Sequence, residues 1–544
     1  MTEKTSLLRL AKGEWRWPLA IAVLIMALTC LPYFFGWFIT PPGYQYSGSL
    51  YNTPDQNVYL AYMRQAHDGK FIFTDQFTTE PQRPWFFHVL FLKMGIVSRL
   101  SGLSLILTYH LARIISGILL LLALYLLAAR FLESVWARRF FLLFIAFSSG
   151  LGWLYFVLFN PAANQPHPPD FGPGVVMPEL ITFLSLLLNP LFCAAALLLV
   201  AVWLLLLIAL ERRSVGWALL AGAAAMFLGN IHTYDSIPVA LTILLFLAGR
   251  GLIQRRIPWR EIAFAAIIGV MMLPPVLYQF YLYRDLPVFR LKAEVATLSP
   301  PLVQYLLALG LPLLLAIPGI WLALKQSKKQ LDFLLPVVWF AATLACAYLP
   351  FPFQRKMAEG MQIPVCLLAA LCISQMVAKK GKGWQRTALA AALLLLCFPS
   401  NAFFLNGRIQ ALESFSDEKH YLQNDEVKAL DWLDKHTSAE DAIMSSPMLG
   451  EYIPSRTGAK TYVSHWAETL NYGGKLKLLA NFLSGRMANT ERINLLKTER
   501  IRYIILGPGE QSFVELFAHR GVNLDGLPIK EVWREKTIAI YEIR

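Results

Sequence analysis

Long apolar runs dominate the chain between residues 17 and 404 and most strongly limit what it can fold into. A transmembrane helix needs about 20 predominantly apolar residues. The first run, 17–38, follows a basic segment and is longer than a signal-peptide core, so it is predicted to be a retained anchor. Further runs lie near 105–130, 138–158, 185–210, 215–231, 236–250, 261–282, 302–324, 331–349, 361–378 and 385–404. The sequence therefore predicts a multi-pass membrane protein with about eleven transmembrane helices.

Basic residues between these runs predict the topology. Besides the N-terminal segment, they fall in every second connection: Arg130/Arg138/Arg139, Arg212/Arg213, Arg250/Arg255/Arg256/Arg260, Lys325/Lys328/Lys329 and Lys379/Lys380/Lys382/Arg386. Connections rich in Lys and Arg stay in the cytoplasm. The N-terminus is therefore predicted to be cytoplasmic and the C-terminal part extracytoplasmic, with a bacterial inner or plasma membrane as the expected location. The amphipathic segment 84–103 is predicted to lie in the outer interface, because a span there would reverse every later connection.

The composition agrees with a membrane protein. Hydrophobic residues make up 56% of the chain and charged residues 15%, against about 45–50% and about 25% in soluble domains. The net charge of +14 belongs to the apolar part, because residues 405–544 hold 18 basic and 19 acidic side chains. This distribution gives no basic stripe on a polar fold, so no nucleic-acid partner is expected. The six cysteines all lie in apolar runs and predict neither a disulfide framework nor a zinc site.

Two domains are predicted. Residues 1–404 form the transmembrane part, including an outer loop at 40–104 with juxtamembrane helices, and residues 405–544 form a soluble extracytoplasmic α/β domain. In that domain, helices are expected at 424–437, 475–485 and 490–500, with Asn424 or Asp425 capping the first. Strands are expected at 442–446, 461–463 and 503–506, followed by a hairpin of 529–533 with 537–543.

Polar residues concentrate in the connections predicted to be outside. Candidate site residues occur in four of these loops: Asp55 and Tyr59 in the first, Asp170 and Glu179 in and after the second, His232 and Asp235 in the third, and Arg355, Lys356 and Glu359 in the fifth. Ionisable groups at membrane depth are costly and usually functional. The pattern predicts that four loops converge on one site at the outer membrane surface.

Each candidate also has a purely structural interpretation. Asp55 could cap the helix that begins near Gln56, and Glu179 could be a first-turn residue favoured by the helix dipole. His232 and Asp235 could pair across a short turn. Arg355 and Lys356 could anchor a helix end among lipid headgroups, while Asp68 and Asp75 are expected to be solvated loop residues.

Together these features resemble the GT-C superfamily of membrane glycosyltransferases, which includes protein O-mannosyltransferases, aminoarabinose transferases and oligosaccharyltransferases. The resemblance covers the anchor, the long outer loop with an acidic residue in Asp55–Tyr59, the amphipathic segment and the outer C-terminal domain. It also covers Tyr109-His110-Leu111-Ala112-Arg113, which opens the second span.

The resemblance implies transfer of a sugar from a polyprenyl-phosphate carrier to an acceptor outside the cytoplasm, with inversion at the anomeric carbon. It implies that Asp55 is the general base, and Gln56 stands where many relatives have Glu. The leaving phosphate needs positive charge, which Arg355, Lys356 and His232 could supply. Glu179 or Asp170 could supply a second acid.

No cofactor is expected. No Asp/Glu-x-Asp/Glu triplet occurs in the chain, which favours the metal-independent branch of the superfamily. Asp55, Asp170 and Glu179 could still bind a divalent metal.

The acceptor is expected to be a glycan, a lipid or a protein. Its candidate contacts are Tyr59, Asp235, Glu359 and the pair His465-Trp466, since aromatic faces stack on sugar rings; the alternative for His465-Trp466 is a helix start with a core tryptophan. Two other functions stay open: a flippase or transporter of lipid-linked glycans, and a non-catalytic membrane protein that binds cell-wall sugars. Neither paired repeats nor midplane polar groups, which are typical of transporters, are found.

Overall fold

The computed structural model describes residues 13–159, 177–378, 383–414 and 419–544. Its α-helices, in chain order, are α1 (Arg16–Leu28), α2 (Leu31–Phe38), α3 (Thr53–His67), α4 (Val89–Ser101), α5 (Leu105–Phe131), α6 (Val135–Phe147), α7 (Gly152–Phe159), α8 (Thr182–Leu188), α9 (Pro190–Arg212), α10 (Val215–Ile231), α11 (Ser236–Gln254), α12 (Trp259–Asp285), α13 (Pro287–Ala293), α14 (Leu302–Ser327), α15 (Leu334–Cys346), α16 (Gln362–Ala378), α17 (Gly383–Cys397), α18 (Pro399–Glu413), α19 (Asn424–His436), α20 (Pro447–Gly450), α21 (Ile453–Thr457), α22 (Tyr472–Leu483), α23 (Asn489–Thr498) and α24 (Pro508–Ala518). The strands are β1 (Tyr44–Tyr46), β2 (Tyr421–Gln423), β3 (Ala442–Met444), β4 (Lys460–Thr461), β5 (Ile501–Leu506), β6 (Ile529–Glu535) and β7 (Ile538–Ile543).

The described chain divides into two compact units. The first, here the helical unit, comprises the described residues of 1–31, 110–279 and 296–408. The second, here the mixed unit, comprises those of 32–109, 280–295 and 409–544. The predicted boundary near residue 405 stays a prediction, and the mixed unit combines the C-terminal segment with the first long loop.

The apolar runs form helices of membrane-spanning length. In the described residues, seven helices are long and apolar enough to cross a membrane, and two bent pairs bring the number up to nine if each pair is one span. The pairs are α6 with α7, bent by 40°, and α17 with α18, bent by 46°. Two shorter apolar helices lie at Val215–Ile231 and Leu331–Cys346. The chain is therefore a multi-pass membrane protein, and the number of eleven spans stays a prediction.

Charged side chains gather at one end of the helical unit. Arg130 Nε donates to Asp332 Oδ2 at 3.0 Å, and Arg250 Nη1 donates to Asp332 Oδ1 at 3.3 Å. Arg130 also pairs with Glu211, and Arg250 Nη2 lies 3.5 Å from Glu261 Oε1. These residues come from the ends of α5, α9 and α11, the start of α12 and the 3₁₀ turn Leu331–Phe333 that precedes α15. Several connections that the basic pattern assigns to one side of the membrane thus meet at one end of this unit.

The mixed unit contains a five-stranded sheet with the order β4-β3-β5-β7-β6. Strand β3 is parallel to β4 and β5, whereas β7 is antiparallel to β5 and β6. Alternate side chains of β5 face opposite sides: Ile504 packs with α22 and α24, and Tyr503 and Ile505 pack with α19. Strands β3, β5, β6 and β7 and helices α19, α22 and α23 lie where the sequence predicts them, whereas β4 shares only Thr461 with the predicted strand 461–463. Gln423 is the cap of α19, rather than Asn424 or Asp425 as predicted, and its N–H donates to Glu426 Oε2 at 2.8 Å.

The first loop is built into the mixed unit by hydrogen bonds. Strand β1 pairs with β2 in antiparallel register. Farther along the loop, Thr461 N donates to Gln76 O at 2.9 Å and Thr469 Oγ1 donates to Phe77 O at 2.7 Å. The Lys475 ammonium lies 2.9 Å from Glu80 Oε1. These contacts fix residues 75–80 against the C-terminal segment, which positions the site described next.

Candidate functional site

Asp55 lies in the first turn of α3. The cap of this helix is Asn52, whose backbone is left-handed at φ 52°, and Pro54 follows within the first turn. Because the helix begins at Thr53, Asp55 is its third residue and not its cap, which corrects the structural interpretation of this aspartate. A carboxylate in the first turn is favoured by the positive end of the helix dipole.

Two donors hold the Asp55 carboxylate. His465 Nε2 lies 2.9 Å from Oδ1, and Asn52 Nδ2 donates to Oδ2 at 2.5 Å. His465 is nearly buried, whereas the Asp55 side chain keeps 42% of its surface exposed. The carboxylate is therefore oriented by two donors while its side chain stays partly exposed.

The imidazole of His465 has a defined hydrogen-bond pattern. Its Nδ1 accepts from the backbone N–H groups of Ala467 at 3.1 Å and Glu468 at 3.2 Å. Burial opposes the charged ring, but the hydrogen bond to Asp55 and its charge outweigh burial and raise the pKa of His465. Against this rise in pKa, a proton on Nδ1 would break both backbone bonds, so the hydrogen-bond geometry favours the neutral ring with its proton on Nε2. His465 therefore donates to Asp55.

A largely buried ion cluster includes Glu468, three residues after His465. Lys292 Nζ on α13 lies 3.3 Å from Asp75 Oδ2 and also pairs with Glu468. Asp75 is fully buried, which corrects the expectation of a solvated loop residue. Burial raises the pKa of the Asp75 carboxyl to about 6 although Lys292 lowers it. Burial opposes the charge of Lys292 too, but Asp75 and Glu468 raise its pKa well above the usual value.

Two predicted acceptor contacts have contrasting positions in the mixed unit. Tyr59 stacks on Phe91 of α4, with ring centroids 5.1 Å apart, and is half-buried. Trp466 is 57% exposed and lies parallel to His465, so it is not a core tryptophan. Trp466 thus offers an open aromatic face beside the residue that contacts Asp55.

The other predicted residues gather in the helical unit. The loop cluster comprises Glu179, His232, Asp235, Arg355, Lys356 and Glu359. Arg355 Nε lies 2.7 Å from Glu179 Oε1, and Gly360 N donates to Glu179 O at 3.1 Å. His232 Nδ1 lies 3.0 Å from Asp235 Oδ2, as one structural interpretation expected. Three of the four loops expected to converge therefore meet within this unit.

The loop cluster contains both buried acids and an accessible cation. Asp235 and Glu359 are 1% and 2% exposed. Lys356 Nζ lies 3.4 Å from the Tyr234 hydroxyl and 4.7 Å from the centre of that ring. Within the part of the chain that the structure describes, Lys356 has no acidic partner, whereas Arg355 is committed to Glu179. Lys356 is consequently the basic side chain of this cluster most available to an anion.

The described residues contain no evident metal site. Across residues 13–159, 177–378, 383–414 and 419–544, no group of three or more His, Cys, Asp or Glu side chains is arranged to hold a metal ion. Asp170 lies outside the described residues. The expectation of a metal-independent protein stays a prediction.

Four residues were not singled out as site residues: Asn52, which contacts Asp55, and the ion cluster of Asp75, Lys292 and Glu468. Asn52 lies two residues before Pro54, and this spacing is a local signal for a helix cap. No local signal links Lys292 to Asp75 or His465 to Asp55, because these pairs are separated by 217 and 410 residues. Only the tertiary fold brings them together.

Similarity to known proteins is found at the level of structure. No protein-family model and no curated protein sequence matches the chain. The oligosaccharyltransferase of Archaeoglobus fulgidus is similar over 90% of this chain and 68% of its own, with 14% identity and a TM-score of 0.57. ArnT from Cupriavidus metallidurans, bound to undecaprenyl phosphate, is similar over 96% and 98%, with 14% identity and a TM-score of 0.50.

A third similar structure is the arabinofuranosyltransferase AftD from Mycobacteria. It matches 98% of this chain and 40% of its own, with 13% identity and a TM-score of 0.54. The three structures are membrane glycosyltransferases of the GT-C superfamily. The chain therefore has the fold of the GT-C membrane glycosyltransferases.

Proposed function

We propose that the protein transfers a sugar from a polyprenyl-phosphate-linked donor to an acceptor on the extracytoplasmic side, with Asp55 as the general base. The observation that carries the proposal is the Asp55 carboxylate, which two donors orient while 42% of its surface stays exposed. The fold supports a lipid-linked donor, because the similar structures include one with a dolichol-phosphate and one with undecaprenyl phosphate.

The proposed reaction is a single displacement. The acceptor hydroxyl oxygen attacks the anomeric carbon, and the bond from that carbon to the phosphate oxygen breaks with its electron pair on the phosphate. Asp55 takes the hydroxyl proton, which requires a carboxylate within hydrogen-bond reach of the acceptor. One such displacement inverts the anomeric centre.

His465 and Asn52 are positioning residues in this proposal. They aim the carboxylate through Nε2–H and Nδ2–H donors, and their hydrogen bonds stabilise its charged form. The exposed face of Trp466 is the proposed platform for an acceptor sugar. Tyr59, Asp235 and Glu359 stay weaker acceptor candidates because each is packed or buried.

Lys356 is the proposed main partner for the donor phosphate. An ammonium near the leaving oxygen stabilises the charge that develops there. Arg355 could assist only by exchanging its contact with Glu179, and His232 already lies against Asp235. Glu179 pairs with Arg355. It could act as a second acid only after leaving that pair.

The proposal is tested with the full chain reconstituted in liposomes. The probe is a polyprenyl-phosphate sugar labelled in the sugar, supplied with a cell-envelope extract as the source of acceptors. We expect the label to leave the lipid and enter an acceptor, with release of polyprenyl phosphate. Movement of intact labelled lipid between leaflets without transfer would support a flippase instead. Saturable binding of envelope glycans without either activity would support a sugar-binding membrane protein.

A further inference from the structure

A basic, apolar pocket lies between α4 and the end of α3. The pocket has a volume of about 320 Å³ and is lined by Ala66, Gly69, Lys70, Phe71, Leu92, Ile96, Arg99 and Leu100. All these residues belong to the mixed unit. The lining combines aliphatic and aromatic carbon with two cationic side chains and contains no acidic side chain.

The two cations at this pocket have no ion-pair partner in the described part of the chain. Arg99 is exposed, and its guanidinium lies over Gly69: Nη1 would be only 2.9 Å from a Cβ placed on that residue. Lys70 is adjacent to Gly69 in the chain. By contrast, the neighbouring Arg64 is paired with Asp68 and Asp434. The pocket thus keeps positive charge that the protein itself does not neutralise.

Large apolar side chains around the pocket are exposed. Helix α4 buries Phe91, Met94, Gly95 and Ser98 on one side. Elsewhere on the helix, Leu100 is 81% exposed, and Phe71 beside it is 65% exposed. Exposed apolar side chains next to basic residues form a surface suited to contact with anionic lipid.

Chain connectivity places this surface at the level of the membrane. Helix α4 ends at Ser101, and α5, a membrane-spanning candidate, begins at Leu105. Four Cα steps cover at most about 15 Å. The end of α4 therefore lies within reach of the headgroup layer from which α5, if it spans the membrane, starts.

We propose that this pocket binds an anionic phospholipid of the surrounding bilayer. Lys70 and Arg99 contact the phosphate of the headgroup, and Phe71, Ile96 and Leu100 contact the start of an acyl chain. A membrane rather than a soluble partner is indicated because the cations, the exposed apolar side chains and the first residue of a span lie within one short stretch. Since α4 packs on α3, which carries Asp55, the lipid would brace the helix of the proposed catalytic site.

The test measures lipid retention and does not depend on transfer activity. The purified full chain is titrated in detergent with phosphatidylglycerol or phosphatidylcholine and examined by native mass spectrometry. We expect selective retention of phosphatidylglycerol by the unmodified protein. Each basic residue near an anionic headgroup is worth about fivefold in binding, so the double variant K70Q/R99Q should lose roughly 10- to 25-fold.

The matched control is K477Q/R520Q, which removes the same charge from two exposed positions of the same unit. It should retain phosphatidylglycerol as the unmodified protein does. Equal retention of both lipids, or unchanged selectivity in K70Q/R99Q, would overturn the proposal. A dimer mass that disappears in L100S would assign the surface to a second copy of the chain and would overturn it too. Because binding alone is scored, this outcome is independent of whether sugar transfer is observed.

Discussion

Two hydrogen bonds determine the direction of the Asp55 carboxylate. One comes from His465 Nε2, whose other nitrogen accepts from two backbone N–H groups. The second comes from Asn52, held in a left-handed conformation at the cap of α3. Orientation at this site thus rests on a ring fixed on both sides. If Asp55 is the base, loss of the His465 ring should lower the rate of the chemical step and leave substrate binding nearly unchanged.

His465 provides the sharpest test of that positioning role. We expect His465→Ala to lower kcat by about 10- to 100-fold with little change in KM, because the base loses its oriented donor. His465→Gln should recover part of the rate, since its amide N–H can reach a similar position. The measurement is steady-state transfer of labelled sugar.

The control for this series is His519→Asn, at an exposed position of the same unit where the backbone φ of 51° suits Asn. It should leave the rate unchanged. Equal activities for the alanine and glutamine variants, with an effect on KM alone, would contradict a positioning role for His465.

At the scale of elements, α3 and α4 pack so closely that residue 95 of α4 has no room for a side chain. A Cβ on Gly95 would lie 2.4 Å from both Ala66 Cβ and Met63 O. We expect Gly95→Val to destabilise the protein by about 1–3 kcal/mol or more, because the backbone cannot move away freely. Thermal unfolding in detergent measures this effect. Gly473→Ala, where a Cβ would contact nothing within 4 Å, should be neutral; equal stability of the two variants would contradict the close packing.

The ion cluster ties α13 to the first loop and to the segment that carries His465. We expect Lys292→Met to cost about 2–3 kcal/mol of unfolding free energy, since it leaves Asp75 and Glu468 without their cation. Lys292 now lowers the pKa of Asp75, which is about 6, so that pKa should rise further in the variant.

The loss in Lys292→Met should depend on pH. When the pKa of a carboxyl is higher in the folded protein than in the unfolded chain, the folded state binds more protons. The free energy of unfolding then falls as pH rises from the unfolded pKa to the folded pKa. The defect should therefore be smaller at pH 5 than at pH 8. Denaturant unfolding at both pH values checks this, with Lys530→Met at an exposed position as control. A defect independent of pH would show that lost packing, not the unpaired charge, is responsible.

At the scale of the whole molecule, the sequence predicts local features better than the site. Hydropathy predicts the spanning helices, and the two short runs 529–533 and 537–543 predict the β6–β7 hairpin, because both signals are local. The bends between α6 and α7 and between α17 and α18 also coincide with local signals, Ser148-Ser149-Gly150 and Pro399, which a hydropathy count alone does not use. Asp55 could be selected from its loop, whereas its bond to His465 depends on tertiary contacts that no local pattern encodes.

The predicted topology can be tested by labelling single cysteines. The six native cysteines are unpaired, and five of them are buried, so their background is small. We expect Lys477→Cys, in the C-terminal segment, to react with a membrane-impermeant maleimide in intact cells. Arg256→Cys, in a basic connection, should react only after permeabilisation. The reverse pattern would contradict the topology.

The rate of sugar transfer by Asp55→Asn tests the central claim most directly. The substitution keeps the size of the side chain and removes its ability to accept a proton. We predict that transfer from a labelled polyprenyl-phosphate sugar falls at least about 100-fold, while the matched variant Asp431→Asn, at an exposed position of the same unit, keeps the full rate. Transfer by Asp55→Asn at the rate of the unmodified protein would contradict the assignment of Asp55 as the general base.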